Sequence, residues 1–282
     1  MKESAGYLFK KALTEEKPLQ IVGTINSYAA LMAQNCGFRA IYLSGAGVAN
    51  ACYGIPDIGQ TTLKQVAEET RRITDSIAIP LLVDIDTGWG NDLMIAKSIR
   101  TIEQAGAAAI HIEDQPFDKR CGHLSNKSVI SKKQMLERLH AALDARKDPD
   151  FIIMARTDAY SVEGLEKTIE RCKAYEEAGA DMHFIEALPS LKDYLKFTKI
   201  LQKPILANIT EFGKTPLFTK NELGNVGISL ILYPLSAWRA MNLAALKVYN
   251  EIRVEGTQKK LLSEMQTREE LYGFLHYEAE KK

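Results

Sequence analysis

The 282-residue chain has no excess of either charge: 36 Lys and Arg stand against 36 Asp and Glu. A balanced chain sets up no global field for nucleic acid or an anionic membrane, so any anion site in it is local. No apolar run of signal-peptide or membrane-spanning length occurs, and the opening Met1-Lys2-Glu3-Ser4-Ala5-Gly6 leads into an amphipathic stretch. Cysteine is scarce and scattered at Cys36, Cys52, Cys121 and Cys172, with no CxxC and no metal-ligand spacing. That argues against a disulfide framework and fits reduced thiols. A soluble cytoplasmic protein is expected.

Other devices are missing too. Neither a Walker loop nor a GxGxxG fingerprint is present, which argues against a nucleotide. No low-complexity tract or Gly/Pro/Ser linker divides the chain. One domain over residues 1–282 is therefore expected, and 46% hydrophobic content is ample for its core.

What the chain does have is alternation. Eight short apolar runs read as strands: Leu19–Gly23, Ala40–Ser44, Leu81–Asp86, Ala109–Asp114, Phe151–Arg156, Met182–Glu186, Ile205–Asn208 and Ile228–Leu232. They are rich in Ile, Val and Leu without polar alternation, as parallel strands covered on both faces require. Helical periodicity lies between them, at Thr62–Ser76, Asp92–Ala105, Ser131–Arg146 and Val162–Ala178. Gly106 and Gly179 each stand just past a helix, and Ser131/Gln134 and Thr219/Glu222 have capping-box spacing. Eight βα units predict an α/β fold of the (β/α)8, TIM-barrel type. From Ser236 a long helix runs to about Glu255, and residues 257–282 form a C-terminal helical extension. Its apolar face (Leu261, Leu262, Met265, Leu271, Phe274, Leu275) needs cover, from its own barrel or from a partner in a homo-oligomer.

Catalytic groups of such a barrel sit at the C-terminal strand ends. Those ends read Ser44, Asp84 and Asp86, Glu113 and Asp114, Arg156, Glu186, Asn208 and Tyr233. Core packing alone does not place polar groups at nearly every strand end, so a shared site is expected there. In Asp84-Ile85-Asp86 the period of two would turn both carboxylates to one side. With Glu113 one strand further, the all-oxygen set suits Mg²⁺ or Mn²⁺ held by few protein ligands and several waters. A hydrogen-bonded Asp pair in the strand-to-helix loop is the plain structural alternative. Arg156 and Arg239 add bidentate donors for a polycarboxylate or phosphate.

The densest chemical signal is Lys119-Arg120-Cys121-Gly122-His123. Cationic neighbours lower a thiol from its usual value of about 8.5 toward neutrality, which suits Cys121 to proton transfer or nucleophilic attack. A basic surface loop with an idle cysteine is the bland reading. His111 reads as an interior histidine, and His183 and His140 carry no functional assignment.

These motifs, with Ser44-Gly45-Ala46, Glu113-Asp114-Gln115, Arg156-Thr157-Asp158 and Asn208-Ile209-Thr210-Glu211-Phe212-Gly213, resemble the isocitrate lyase/phosphoenolpyruvate mutase superfamily over essentially the whole chain. The cysteine pentapeptide is characteristic of its lyase branch, and the overall likeness is to the members that cleave 2-methylisocitrate to pyruvate and succinate in propionate catabolism. The resemblance implies that Asp84 and Asp86 anchor Mg²⁺, with Glu113 and Asp57 acting through its waters. It implies that Ser44, Gly45 and Ala46 bind the pyruvate-forming end with Arg156, next to Glu186. Asn208, Ile209, Thr210, Gly122, Arg239 and Arg268 would receive the succinate carboxylates. Cys121, flanked by His123, would protonate the nascent carbanion, and Tyr42 or Glu113 would take the hydroxyl proton. A homotetramer exchanging its C-terminal helices is implied as well. One departure stands out: Ala46 replaces an expected glycine, which would strain the backbone if that position needs positive φ.

Three other readings stay open. The same chemistry on isocitrate differs by one methyl, worth only about 1–3 kcal/mol in a pocket. A decarboxylase or carbon–phosphorus mutase is disfavoured by the pentapeptide. A non-catalytic dicarboxylate-binding barrel leaves the thiol among cations unexplained.

Overall fold

The structure, a computed structural model, describes residues 3–119, 122 and 127–277. Eight parallel strands close into a barrel in sequence order. They are β1 (Leu19–Gly23), β2 (Ala40–Leu43), β3 (Leu81–Asp84), β4 (Ala109–Glu113), β5 (Ile152–Thr157), β6 (Met182–Ile185), β7 (Ile205–Asn208) and β8 (Leu230–Tyr233). The ring closes where β1 pairs with β8, from Leu19 opposite Leu230 to Val22 opposite Tyr233.

Side chains of a strand alternate between the barrel interior and the helix layer. The interior cluster takes Leu19 and Ile21 from β1, Ala40 and Tyr42 from β2, Leu82 from β3, Met154 from β5 and Phe184 from β6. Two residues further up, the same inward series becomes polar: Asp84 after Leu82, Arg156 after Met154, Glu186 after Phe184 and Asn208 after Leu206. The apolar lower storeys thus act as a floor for a charged upper storey. Below them the helix Ala5–Glu15 seals the barrel with fully buried Phe9. Gly6 lies so close to the chain at Asp150 that a Cβ would stand 2.2 Å from its carbonyl oxygen.

The punctuation forms as expected. Gly106 and Gly179 adopt φ of +92° and +105°, and the boxes at Ser131 and Thr219 are both closed. Some boundaries move. The helix expected over Val162–Ala178 is two, Tyr160–Glu163 and Leu165–Glu177, broken at Gly164 where φ is +82°. Strand β8 starts at Leu230, two residues later than the apolar run, and Tyr233 packs in the outer layer rather than the interior.

Beyond β8 the helix Ser236–Glu255 has no buried residue and exposes Leu243, Leu246, Tyr249 and Val254. The later helix Arg268–Phe274 folds back on the helix Ser27–Asn35, where the Tyr28 ring meets Phe274 edge-on at 6.1 Å. Part of the extension is therefore covered by its own barrel, while the long helix stays open. Among the described residues no helix is long and apolar enough to cross a membrane.

Candidate active site

Strand β3 ends on Asp84, not on Asp86, which corrects the strand expected over Leu81–Asp86. Asp86 has φ of +49°, followed by +84° at Gly88 and +62° at Trp89, so the chain turns sharply. The two carboxylates meet through this turn rather than through the pleat. The Asp86 amide donates to Asp84 Oδ1 at 3.0 Å, and the Gly45 amide donates to Asp84 Oδ2 at 3.1 Å. A Cβ on Gly45 would lie 3.1 Å from Asp84 Oδ2 and 3.2 Å from Asp86 Oδ1, so both acids face the same backbone. Trp89 holds the turn in place by donating from Nε1 to the Thr61 carbonyl at 2.7 Å.

Lys119 bridges the acids, its Nζ 2.5 Å from Asp86 Oδ1 and 2.7 Å from Asp57 Oδ1. Burial alone would raise Asp84, but His111, Lys119, Arg156 and the Asp86 amide hold it down at the low end of the carboxylate range. Asp86 goes the other way, pushed up by burial and by the Asp84 charge against the pull of Lys119. Glu113 is raised well above an ordinary carboxyl by burial, with Arg156 and Lys119 opposing. Its Oε1 is buried with no hydrogen-bond partner among the described residues.

This set fits a hard divalent cation. Among the described residues Asp57, Asp84, Asp86 and Glu113 outnumber Lys119 and Arg156, and Glu113 keeps an oxygen without a hydrogen-bond partner. Among the described residues no three His, Cys, Asp or Glu side chains form a closed cage. Two carboxylates with water completing the shell is the arrangement Mg²⁺ accepts, since it sheds water reluctantly.

Beneath the acids, the Tyr42 hydroxyl lies 2.9 Å from His111 Nε2 and donates to Asp84 Oδ2 at 3.3 Å. Burial, then Asp84, drives the Tyr42 phenol well above its usual range. Burial lowers His111 to about 4 against the pull of Asp84, so at neutral pH the imidazole is uncharged. His111 is interior, as the sequence suggests, but it borders the acid cluster.

The adjoining wall, from β5, is built on Arg156. Its Nε lies 3.0 Å from Asp158 Oδ2 and 3.2 Å from Glu113 Oε2, and its Nη2 lies 3.3 Å from Glu186 Oε2. Asn208 Nδ2 donates to Glu186 at 3.2 Å. Gly122 sits directly on this wall: a Cβ there would be 2.6 Å from Arg156 Nη2 and 2.7 Å from Glu186 Oε2. Behind it, Lys127 donates to the Gly122 carbonyl and to Asp158 Oδ1, the latter at 2.7 Å. Sequence reasoning gave Asp158 and Lys127 no role. The one available signal was Asp158, two residues from Arg156 in a strand-end motif.

The remaining expected residues divide. Ser44 Oγ accepts the Gly47 amide as the cap of a short helical turn, Gly45–Gly47. Ala46 lies inside that turn and is not among the positive-φ residues, so the strain anticipated for it does not arise. Ile209 places its side chain in the outer layer while its amide donates to the Leu232 carbonyl at 2.8 Å, and Thr210 is buried beside it. Arg239 is half-exposed, 3.8 Å from Glu211 and stacked over Phe212 at 5.6 Å. Arg268 is exposed at the start of the last helix. Cys121 and His123 lie outside the described residues.

Comparison with known proteins agrees with this fold. A 2-methylisocitrate lyase from Shewanella oneidensis is 56% identical to the chain, covering 99% of this chain and 96% of its own length. A crystal structure of 2,3-dimethylmalate lyase, a member of the PEP mutase/isocitrate lyase superfamily, superposes with a TM-score of 0.90 at 29% identity over 97% of this chain and 92% of that one. A phosphonopyruvate hydrolase complex with oxalate and Mg²⁺ superposes at 0.85, with 27% identity over 97% and 95%. The family model for phosphoenolpyruvate phosphomutase matches residues 9–253, and the chain belongs to that family.

Proposed function

We propose that the chain is a Mg²⁺-dependent carbon–carbon lyase that cleaves 2-methylisocitrate to pyruvate and succinate. The observation that carries this reading is the convergence of Asp84 and Asp86 at Gly45, with Arg156 joining Glu113 and Glu186 two strands on, in a chain more than half identical to a 2-methylisocitrate lyase. Asp84 and Asp86 would hold the ion, with Asp57 and Glu113 facing its waters; the phosphonopyruvate hydrolase complex carries Mg²⁺, and Mn²⁺ satisfies the same oxygen set. Bound there, the ion supplies Lewis-acid polarisation of the substrate hydroxyl and of the ketone that forms from it.

The chain's own groups do the rest. Glu113 takes the hydroxyl proton: its Oε1 has no hydrogen-bond partner among the described residues and its Oε2 lies 3.2 Å from Arg156 Nε, whereas the Tyr42 hydroxyl is engaged with His111 and Asp84. As the C2–C3 bond breaks, its electron pair passes to the succinate carbon and spreads onto the adjoining carboxylate. Cys121, with His123 next to it but one, supplies the proton to that carbon. Support comes from Gly122, which rests on Arg156 and Glu186. Arg156 steadies the pyruvate-forming carboxylate, beside the Ser44–Ala46 turn. Asn208 and Thr210 face the succinate end, and Arg239 and Arg268 complete it. Donors fixed where charge develops are typically worth several kcal/mol.

We further read the assembly as a homotetramer. The helix Ser236–Glu255 exposes a row of large apolar residues that a second copy would cover. A single domain in the cytoplasm agrees with the unpaired thiols of Cys36, Cys52 and Cys172. The deciding experiment is a coupled assay of racemic 2-methylisocitrate beside isocitrate. Pyruvate and succinate from the first, much faster than glyoxylate from the second, is expected. The reverse order would make the chain an isocitrate lyase, and no product from either would leave only binding.

A further inference from the structure

Lys127 is an unusual lysine. Its side chain is 1% exposed, yet among the described residues it faces one carboxylate, Asp158, and one backbone oxygen, that of Gly122. Burying an ammonium costs several kcal/mol in lost hydration unless partners replace the water. Here the partners join two parts of the site that are otherwise separate in the chain.

Asp158 is the junction. Its Oδ1 accepts from Lys127 at 2.7 Å and its Oδ2 accepts from Arg156 Nε at 3.0 Å. It does not swing freely, because its amide donates to Asp114 Oδ1 at 2.9 Å. Asp114 is itself fixed through Oδ2 by the Thr157 hydroxyl at 2.7 Å and the Tyr175 hydroxyl at 3.0 Å. From this buried frame Lys127 reaches out and grips the Gly122 carbonyl. The other side of Gly122 is pressed on Arg156 and Glu186 so tightly that no side chain would fit. Gly122 is thus held from two sides, by a hydrogen bond and by contact.

We infer that Lys127 is a positioning residue for the lyase reaction: through Asp158 it sets the backbone at Gly122 in register with Arg156. This inference rests on the lyase reading above. Lys127 touches no reacting atom in this scheme. It acts by fixing the main chain adjoining the proton donor, and a misplacement of about 1 Å in such a group can cost on the order of 100-fold in rate.

The test uses the full-length protein and two substitutions. Lys127→Met keeps the apolar stem and removes the ammonium, and Lys127→Arg keeps a charge and donors. For Lys127→Met we expect kcat for 2-methylisocitrate to fall by about 10- to 100-fold with KM changed less than about threefold. Lys127→Arg should recover most of that loss. Hydrogen exchange in peptides covering residues 119–130 should quicken in the Met variant, with the rest of the barrel unaltered. A Met variant with near-native kcat overturns the inference, whatever its exchange. So does a loss that falls on KM in step with kcat, which would mark plain substrate binding. If the Met variant fails to fold, a Lys127→Arg variant that folds but stays as slow as about 100-fold below native also overturns it. Failure of the lyase reading shows separately, as an inactive native protein. In that case unchanged exchange at 119–130 in Lys127→Met still rejects the tether.

Discussion

Gly45 donates its backbone amide to Asp84, tying the turn after β2 to the carboxylate at the end of β3 at 3.1 Å. Because the Gly45 Cα also faces Asp86, any side chain there intrudes between two acids. Asp84→Ala should abolish activity in a way that added Mg²⁺ does not rescue. Gly45→Ala is the subtler probe: it should weaken Mg²⁺ binding by about 10- to 100-fold, the range typical of groups that orient metal ligands. Titration calorimetry with Mg²⁺ alone reads the loss of metal binding in both variants, and a pyruvate-release assay reads the activity. Native affinity in Asp84→Ala would refute the assignment of the ion to this pair.

Cys121→Ser replaces a thiol with a hydroxyl that is far harder to ionise. Turnover should drop by about 100-fold or more while Mg²⁺ and succinate binding stay within a few fold. The binding measurement matters, since a collapse of succinate affinity would point to lost substrate contact instead of lost proton transfer. Near-native turnover would remove the thiol from the chemistry.

Much of the barrel was legible from the residues because its strands are unbroken apolar runs and its loops have strong signals such as Gly106 and Gly179. The acid pair was legible as composition but not as geometry. Two aspartates separated by one residue suggest a pleat, while the actual convergence depends on left-handed backbone at Asp86 and Trp89, which neither residue type announces. The Lys127–Asp158 pair was not legible at all. It joins residues 31 positions apart, and a lysine in a polar loop looks in sequence like any solvated charge.

Away from the active site, His183 is fully buried and its Nε2 lies 3.2 Å from Glu176. Burial lowers its pKa, with the Glu176 charge opposing and Lys203 adding to the lowering. A histidine lowered in the folded state binds its proton more readily when unfolded. Its contribution to stability is therefore present above the unfolded value, about 6.5, and is lost as pH falls below it. The unfolding free energy of the native chain minus that of His183→Gln should shrink between pH 7 and pH 5. Urea unfolding at several pH values measures this, and a difference that grows on acidification would contradict it.

Gly122→Ala isolates the fit of the cysteine segment against the site wall. The added methyl carbon would stand 2.6 Å from Arg156 Nη2 and from Glu186 Cγ. Arg156 has little room to yield, because Asp158, Glu113 and Glu186 hold it at 3.0, 3.2 and 3.3 Å. The backbone at residue 122 must therefore lift away from the wall. A fall of about 10- to 100-fold in kcat is expected, with a stability loss of no more than about 1–3 kcal/mol, the usual range for overpacking. Gly273→Ala is the matched control, as nothing lies within 4 Å of its Cβ position in the last helix. If Gly122→Ala turns over as fast as that control, the close seating of Gly122 on Arg156 has no part in catalysis.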